Sequence, residues 1–263
     1  MPSPVPTPGA PCWIDLMTTD VAAARRFYGE LFGWDYGTDD EEKYGGYVTA
    51  RKNGKQVAGL LQKDDTQVGV PDAWSTYLRV DDASATLKAV ETHGGQVHMP
   101  PTDVPEQGHM AIFGDATGAV VGVWQPREML GYELVGEPGT AAWHELHAKD
   151  YAAAVKFYQD VFGWETEVMS NAPDFRYTTM GSGMTAQAGI MDASGYLPAG
   201  IPSHWQVYFA VEDTDATVER ATALGATLQD GPSDSDFGKV AQLADPTGAV
   251  FRVIAGPAAE QTT

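Results

Sequence analysis

The side chains best able to do chemistry sit two residues apart on one short apolar run. In WHELHA, Glu145 and His147 flank Leu146, so an extended strand turns both to one face, together with Trp143. A carboxylate and an imidazole at that spacing can pass a proton or serve one metal ion. A second run of the same outline, WIDLM, offers Trp13, Asp15 and Met17. On later strands the alternation groups Ser75, Tyr77 and Arg79, and likewise Gln206, Tyr208 and Ala210. On the last strands it groups Gly122 with Trp124, and Arg252 with Ile254. Aromatic bodies with a few placed polar groups suit a small, planar or aromatic ligand. His147 is the candidate general base with Glu145 beside it, while Asp15–Arg79 and Glu145–Arg252 are the expected buried ion pairs. His93, His98, His109 and His204 fall on expected loops or element ends. Ser75 has no nucleophile-elbow context, and no glycine-rich phosphate cradle is present.

These residues recur because the chain repeats itself. WIDLMTTDVAAARRFYGELFGW from Trp13 matches WHELHAKDYAAAVKFYQDVFGW from Trp143, an offset of 130 with about half the positions identical. WSTYLRVDDASA from Trp74 matches WQVYFAVEDTDA from Trp205, and DATGAVVGV from Asp115 matches DPTGAVFRV from Asp245. Three blocks in one order mean duplication of a domain-sized unit rather than a solenoid.

Within each half the elements can be placed. Asp20 and Asp150 are N-caps, and Gly33 and Gly163 end the helices they start. In the first helix Ala23, Phe27 and Leu31 form a stripe with Ala24 and Tyr28 beside it. Further helices are expected from Ala83 to His93 and from Thr214 to Leu224. Short strands fill the rest, with the Asp-x-Thr-Gly turns joining the last two. The order is β-α-β-β-β four times, an α+β layer fold in which Ile14, Leu16, Leu78 and Val80 pack beneath helices.

The bulk composition agrees. The 263 residues divide into a Pro-rich tail at 1–10, a domain at 11–130, a linker at 131–139, a second domain at 140–256 and a tail at 257–263. The tail at 1–10 is expected to be disordered, since its prolines remove donors and fix φ. The net charge of −20 disfavours nucleic acid and anionic membrane as partners. No run nears the roughly 18 apolar residues of a spanning helix. The single cysteine, Cys12, excludes an intrachain disulfide and points to a reducing, cytoplasmic setting. A small-molecule ligand is the expected partner, with the chain a monomer or homodimer.

The strand leading into D-x-A-x-x-F-Y-x-x-x-F-G-W, the V-x-D strand end and D-x-T-G before the last strand together resemble the glyoxalase/bleomycin-resistance/extradiol-dioxygenase (vicinal oxygen chelate) superfamily, over about residues 11–256. The tandem form is similar to an actinobacterial group that includes mycobacterial antigen-like proteins and members labelled hydroxylase or glyoxalase. The resemblance implies paired βαβββ modules, each pair an incomplete barrel with outer helices, whose concave face takes a divalent metal and the substrate. The family's ligand positions fall on Trp13 and Trp143, Ser75 and Gln206, Gly122 and Arg252, and Gly59 and Gly189. Only Gln206 among these could coordinate, so no cofactor is expected. The leading expectation is a metal-free protein that sequesters, carries or tailors an aromatic metabolite or antibiotic. One alternative is a metal-dependent lyase, isomerase or dioxygenase using Glu145, His147 and Gln206. The other is a metal-independent tailoring enzyme or hydroxylase accessory. The ligand-binding set is Trp13, Asp15, Ser75, Tyr77, Arg79, Trp124, Trp143, Glu145, His147, Gln206, Tyr208 and Arg252.

Overall fold

The computed structural model describes residues 6–37, 44–64, 67 and 69–256; the expected tail at 257–263 and the first five residues of the N-terminal tail lie outside them. Among the described residues, sixteen strands and four helices repeat one plan four times. The first module is β1 (Pro11–Thr18), α1 (Val21–Phe32), β2 (Asp35–Tyr36), β3 (Val48–Lys52) and β4 (Lys55–Gln62). The second is β5 (Ala73–Arg79), α2 (Ala83–Thr92), β6 (Gln96–Val104), β7 (Gly108–Gly114) and β8 (Val120–Pro126). The third is β9 (Ala141–Ala148), α3 (Tyr151–Phe162), β10 (Thr166–Ala172), β11 (Phe175–Met180) and β12 (Ala188–Asp192). The fourth is β13 (His204–Ala210), α4 (Thr214–Ala223), β14 (Thr227–Ser235), β15 (Gly238–Ala244) and β16 (Val250–Ala255). The strands form two eight-stranded sheets, one from each half of the sequence, so the α+β class with four βαβββ modules holds. In every module the first strand runs parallel to the last, and hairpins join the others.

Helix ends follow the local chemistry. The carboxylates of Asp20 and Asp150 accept from the backbone N–H of Ala23 and Ala153, and Gly33 and Gly163 close the helices with φ of 71° and 66°. The buried stripe of α1 is Ala24, Phe27, Tyr28 and Phe32, one residue round from the expected Ala23 and Leu31, which are half-buried. β6 and β14 are hard to read from sequence. They are terminal strands of their sheets, carry Pro100, Pro101 and Pro232, and are largely exposed; an edge strand tolerates the missing N–H.

By compactness the chain divides into two units, each drawn from both halves of the sequence. One unit comprises Met1–Trp13, Ser75–Gly131 and Trp143–Gln206, and so joins the second module to the third. Its core gathers Leu78, Leu87, Phe113 and Val123 with Leu146, Phe157, Tyr158 and Trp205. The other comprises Ile14–Trp74, Tyr132–Ala142 and Val207–Thr263, the first module with the fourth. Its core is a cluster of rings, Tyr28, Phe32, Trp34, Trp74, Phe209 and Phe251. The reason is helix packing: the buried face of each long helix meets aromatic residues contributed by the opposite half of the sequence.

One hydrogen-bonded string recurs in both units and ties the three repeated sequence blocks together. Trp205 Nε1 donates to the Tyr158 hydroxyl at 2.9 Å, and that hydroxyl donates to Asp115 Oδ2 at 2.9 Å. Asp115 Oδ1 accepts from Thr117 N, Thr117 Oγ1 and Ala119 N, which shapes the turn. In the other unit Trp74 Nε1 donates to Tyr28 at 3.0 Å, Tyr28 donates to Asp245 at 3.0 Å, and Asp245 holds Thr247 and Ala249 in the same way. Burial first, then the adjacent carboxylate, pushes both phenols well above their usual range, so both stay protonated and donate.

Two segments expected to be loose are clamped. Gly9 and Ala10, placed in the disordered tail, are buried. Trp164 Nε1 donates to Gly9 O at 3.0 Å, and Gly9 N and Ala10 O pair with the backbone of Arg79. Gly139, in the expected linker, accepts from Trp34 Nε1 at 2.7 Å and pairs with Ala210. Indoles of the two F-G-W motifs thus find their acceptor in a chain segment that a disordered reading leaves free. Cys12 is buried too, and burial pushes its thiol far up, which makes it inert.

Replacing Tyr158 by Phe strands the Trp205 N–H and an Asp115 oxygen, both buried. The expected loss is about 2–4 kcal/mol in urea unfolding, with a similar loss for Tyr28→Phe; a change under about 0.5 kcal/mol would show that the string carries little stability. His144 is buried, with Nδ1 3.1 Å from Thr76 Oγ1, and desolvation lowers its pKa to about 3. Unfolded chains titrate this residue near 6.5, so between pH 6.5 and 3 only the unfolded state takes up its proton. Stability should therefore fall with pH across that window, by about 1.4 kcal/mol per pH unit from this residue. His144→Gln should flatten the acid limb of a stability–pH curve; an unchanged limb refutes the assignment.

Candidate functional site

On β9 the alternation separates two environments. Leu146 and Ala148 enter the core beneath α3, while Trp143, Glu145 and His147 take the other face. Glu145 lies in register with Gly189 of β12, and the ring of Tyr177 from β11 lies over that glycine. A methyl group at Gly189 would overlap the Tyr177 hydroxyl.

The polar atoms on this face form a continuous string. Trp143 Nε1 donates to Tyr177 Oη at 2.9 Å, and Tyr177 Oη lies 2.7 Å from Glu145 Oε2. Glu145 Oε1 lies 2.9 Å from His147 Nε2, and His147 Nδ1 lies 2.8 Å from Tyr196 Oη. Donor logic orients the protons. An indole N–H can only donate, so the Tyr177 oxygen accepts from it and its own O–H goes to Glu145. Glu145 Oε1 can accept the Nε2–H of His147, and Nδ1 then faces the Tyr196 hydroxyl. Glu145 and His147 are buried, at 6% and 1% exposure, whereas Tyr196 is half exposed. The string therefore runs from solvent to a buried carboxylate.

The loop carrying Tyr196 is fixed from β9. Lys149 Nζ donates to Pro198 O at 2.8 Å, and Lys149 N donates to Ser203 Oγ at 3.0 Å. Just after it, the His204 ring stacks on His147, with centroids 5.2 Å apart. Gln206 lies two residues further along β13, on the same strand face as His204, and its buried Oε1 has no hydrogen-bond partner among the described residues.

The remaining expected residues lie in other settings. Tyr77 packs its ring over Gly122, in register with it, and Trp124 Nε1 donates to Met129 O at 2.7 Å. Arg79 pairs with Asp81 at 2.9 Å, and Arg252 donates to Gln242 Oε1 and Tyr208 Oη, each at 3.1 Å. Those are the partners of the two arginines expected to neutralise Asp15 and Glu145. Glu145 instead contacts His147 and Tyr177. Trp13 is buried and Ser75 is half-buried. In the first half, Asp15 is buried in register with Gly59, over which Tyr47 lies as Tyr177 lies over Gly189. Met17 stands where His147 stands in the second half, so the imidazole belongs to one of the two repeats.

Sequence reading missed Tyr177, Tyr196 and the stacking role of His204. Tyr177 carried a signal, because Tyr47 and Tyr177 keep the 130-residue offset of the repeat, as do Gly59 and Gly189. Tyr196 lies in a loop without a counterpart motif, and His204 was placed at an element end without a partner.

The donors present do not fit a divalent ion of the kind the fold resemblance implied. Tyrosine rings fill the space beside glycine at three of the expected ligand positions, 59, 122 and 189. Both nitrogens of His147 are already hydrogen-bonded. Among the described residues no group of three or more His, Cys, Asp or Glu is placed to hold a metal.

Comparison with known proteins agrees with the fold. Residues 12–123 match the model of the Glyoxalase/Bleomycin resistance protein/Dioxygenase superfamily, and residues 143–254 match that of a glyoxalase-like domain. The chain is 41% identical to CFP32 of Mycobacterium tuberculosis over 258 residues, covering 96% of this chain and 97% of that protein. It is 39% identical to the anthracycline biosynthesis protein DnrV of Streptomyces peucetius over 259 residues, covering 94% and 93%. Among solved structures it resembles the Mn(II)-bound glyoxalase of Novosphingobium aromaticivorans, with TM-score 0.65, 19% identity and coverage of 94% and 82%. It also resembles the 2,3-dioxygenase LapB of Pseudomonas sp. KL28, with TM-score 0.63, 14% identity and coverage of 94% and 92%.

The glycine–tyrosine arrangement makes a direct prediction. Gly189→Ala should push Tyr177 off Glu145 and cost about 1–3 kcal/mol of stability. In a Tyr177→Ala background the same methyl should cost little, so a double-mutant cycle should show coupling. Additive effects would mean that the two positions do not compete for space.

Proposed function

The chain belongs to the glyoxalase/bleomycin resistance protein/dioxygenase superfamily, and on that premise we propose that it binds a small planar aromatic molecule on the Trp143–Glu145–His147 face without a metal ion. The observation that carries this reading is the string Trp143–Tyr177–Glu145–His147–Tyr196, which starts from the indole at an expected ligand position and runs past the Tyr177 ring over Gly189, a second one. An indole and stacked rings favour a flat ligand, and the carboxylate, imidazole and phenol supply its polar contacts. DnrV is named for anthracycline biosynthesis, and its similarity along most of this chain points to a polycyclic phenol or quinone as ligand class. The net charge of −20 is consistent with a small-molecule partner rather than nucleic acid or anionic lipid. We place the chain in the cytoplasm on its single cysteine; no helix among the described residues is long and apolar enough to cross a membrane.

A second reading, a metal-independent tailoring enzyme or hydroxylase accessory, is favoured by the link from buried Glu145 to half-exposed Tyr196. Binding and tailoring share the ligand and the face, and differ in whether protons move.

Titrating chelator-dialysed protein with 1,8-dihydroxyanthraquinone should quench tryptophan fluorescence saturably. Trp143→Ala should raise Kd about tenfold, equivalent to ~1.4 kcal/mol. Binding that is non-saturable, or that appears only after a divalent metal is added, rules the reading out.

A further inference from the structure

Glu145, His147 and Tyr196 form a carboxylate–imidazole–hydroxyl series with contacts of 2.9 Å and 2.8 Å. The buried carboxylate sits on one ring nitrogen and the hydroxyl on the other. This is the order of groups by which a carboxylate supports an imidazole that takes a proton from a hydroxyl. The hydroxyl here is a phenol at 50% exposure, the one member of the series that a ligand or reagent can reach from solvent. The imidazole is held on three sides, by Glu145, by the Tyr196 hydroxyl and by the stacked ring of His204. The buried Gln206 Oε1 supplies a second, independent pointer. It lacks a donor, and a buried acceptor without one demands an O–H or N–H from whatever binds beside it.

We propose that Tyr196 is the catalytic base of a metal-free keto–enol tautomerisation, acting on an aryl ketone with an acidic α-hydrogen. The proposal deepens the reading of the same face as an aromatic-ligand site. Tyr196 gives its hydroxyl proton to His147 Nδ1, and the imidazolium is held by the Glu145 carboxylate. The phenolate oxygen removes a proton from the α-carbon; the C–H bond breaks and its electron pair forms the enolate. Tyr196 then delivers that same proton to the enolate oxygen, forming the enol O–H, and finally regains its own proton from His147. No oxidant, reductant or metal enters the balance. The enol formed is an O–H donor of the kind that the buried Gln206 Oε1 lacks. Glu145 and His147 are positioning residues, because they act through Tyr196. The first repeat, with Met17 in the place of His147, lacks the imidazole and is not assigned this chemistry.

Two measurements on the full chain test the proposal. The first is acetylation by N-acetylimidazole, mapped by mass spectrometry, in which a phenolate attacks the acetyl carbon and imidazole leaves. Tyr196 should react faster than the other tyrosines, and His147→Gln and Glu145→Gln should slow it about tenfold while melting temperatures stay close to wild type. The second is α-hydrogen exchange of 1-tetralone in D2O, followed by NMR. Wild type should exceed Tyr196→Phe by about ten- to a hundredfold. Acetylation of Tyr196 that is indifferent to His147, or exchange that survives Tyr196→Phe, overturns the proposal. The labelling arm needs no bound aromatic, so failure of the dye titration would strike the ligand reading separately.

Discussion

The structure rests on the donation of one tyrosine hydroxyl to one aspartate in each unit. Tyr158 and Tyr28 arise from the F-Y pair of each long helix, Asp115 and Asp245 from the Asp-x-Thr-Gly turns, and Trp205 and Trp74 from the leading ends of inner strands. Each phenol is fully buried, so its oxygen and hydrogen must both be satisfied inside the protein. A donor on one side and a carboxylate on the other do this. The aspartate spends its second oxygen on the backbone of its own turn, so the string fixes helix, strand and turn at once. Three sequence blocks that look like separate motifs are thus one network.

On the opposite face of β9 the fold keeps its geometry and changes its contents. Where the resemblance led one to seek converging ligands, glycine and tyrosine complement each other in space. The absent side chain at Gly189 admits the Tyr177 ring, and the ring brings a hydroxyl to Glu145. The same pairing at Gly59 with Tyr47, and at Gly122 with Tyr77, shows one solution used repeatedly. In the second repeat the freed carboxylate acquires a histidine and, through it, a solvent-facing phenol. Two repeats of one architecture have therefore diverged in chemistry, with Met17 against His147 and a Tyr196 loop that the first repeat does not match.

Much of this was legible beforehand, for physical reasons that differ by element. The long helices have a capping aspartate, an apolar stripe and a terminal glycine, three signals that agree, and their limits follow from the residues. The pairing of Trp143, Glu145 and His147 on one face follows from the two-residue period of a strand. The edge strands β6 and β14 resist because exposed, proline-bearing strands have no apolar period to read. The arginine partners resist because strand alternation gives a face and not a neighbour; Arg79 turned to Asp81, two residues along its own chain. Tyr196 resists most, since its loop is positioned by Lys149 through backbone carbonyls, which any sequence supplies.

The mixing of modules within each unit has a genetic corollary. The second module shares its core with the third, and the first shares its core with the fourth. Translation therefore completes neither core until the later half of the chain has emerged. A gene severed between the repeats would yield fragments whose greasy helix faces seek a complementary fragment. Fusion of the repeats into one reading frame guarantees equal amounts of both and lets the second copy drift, as position 147 has, without losing its mate.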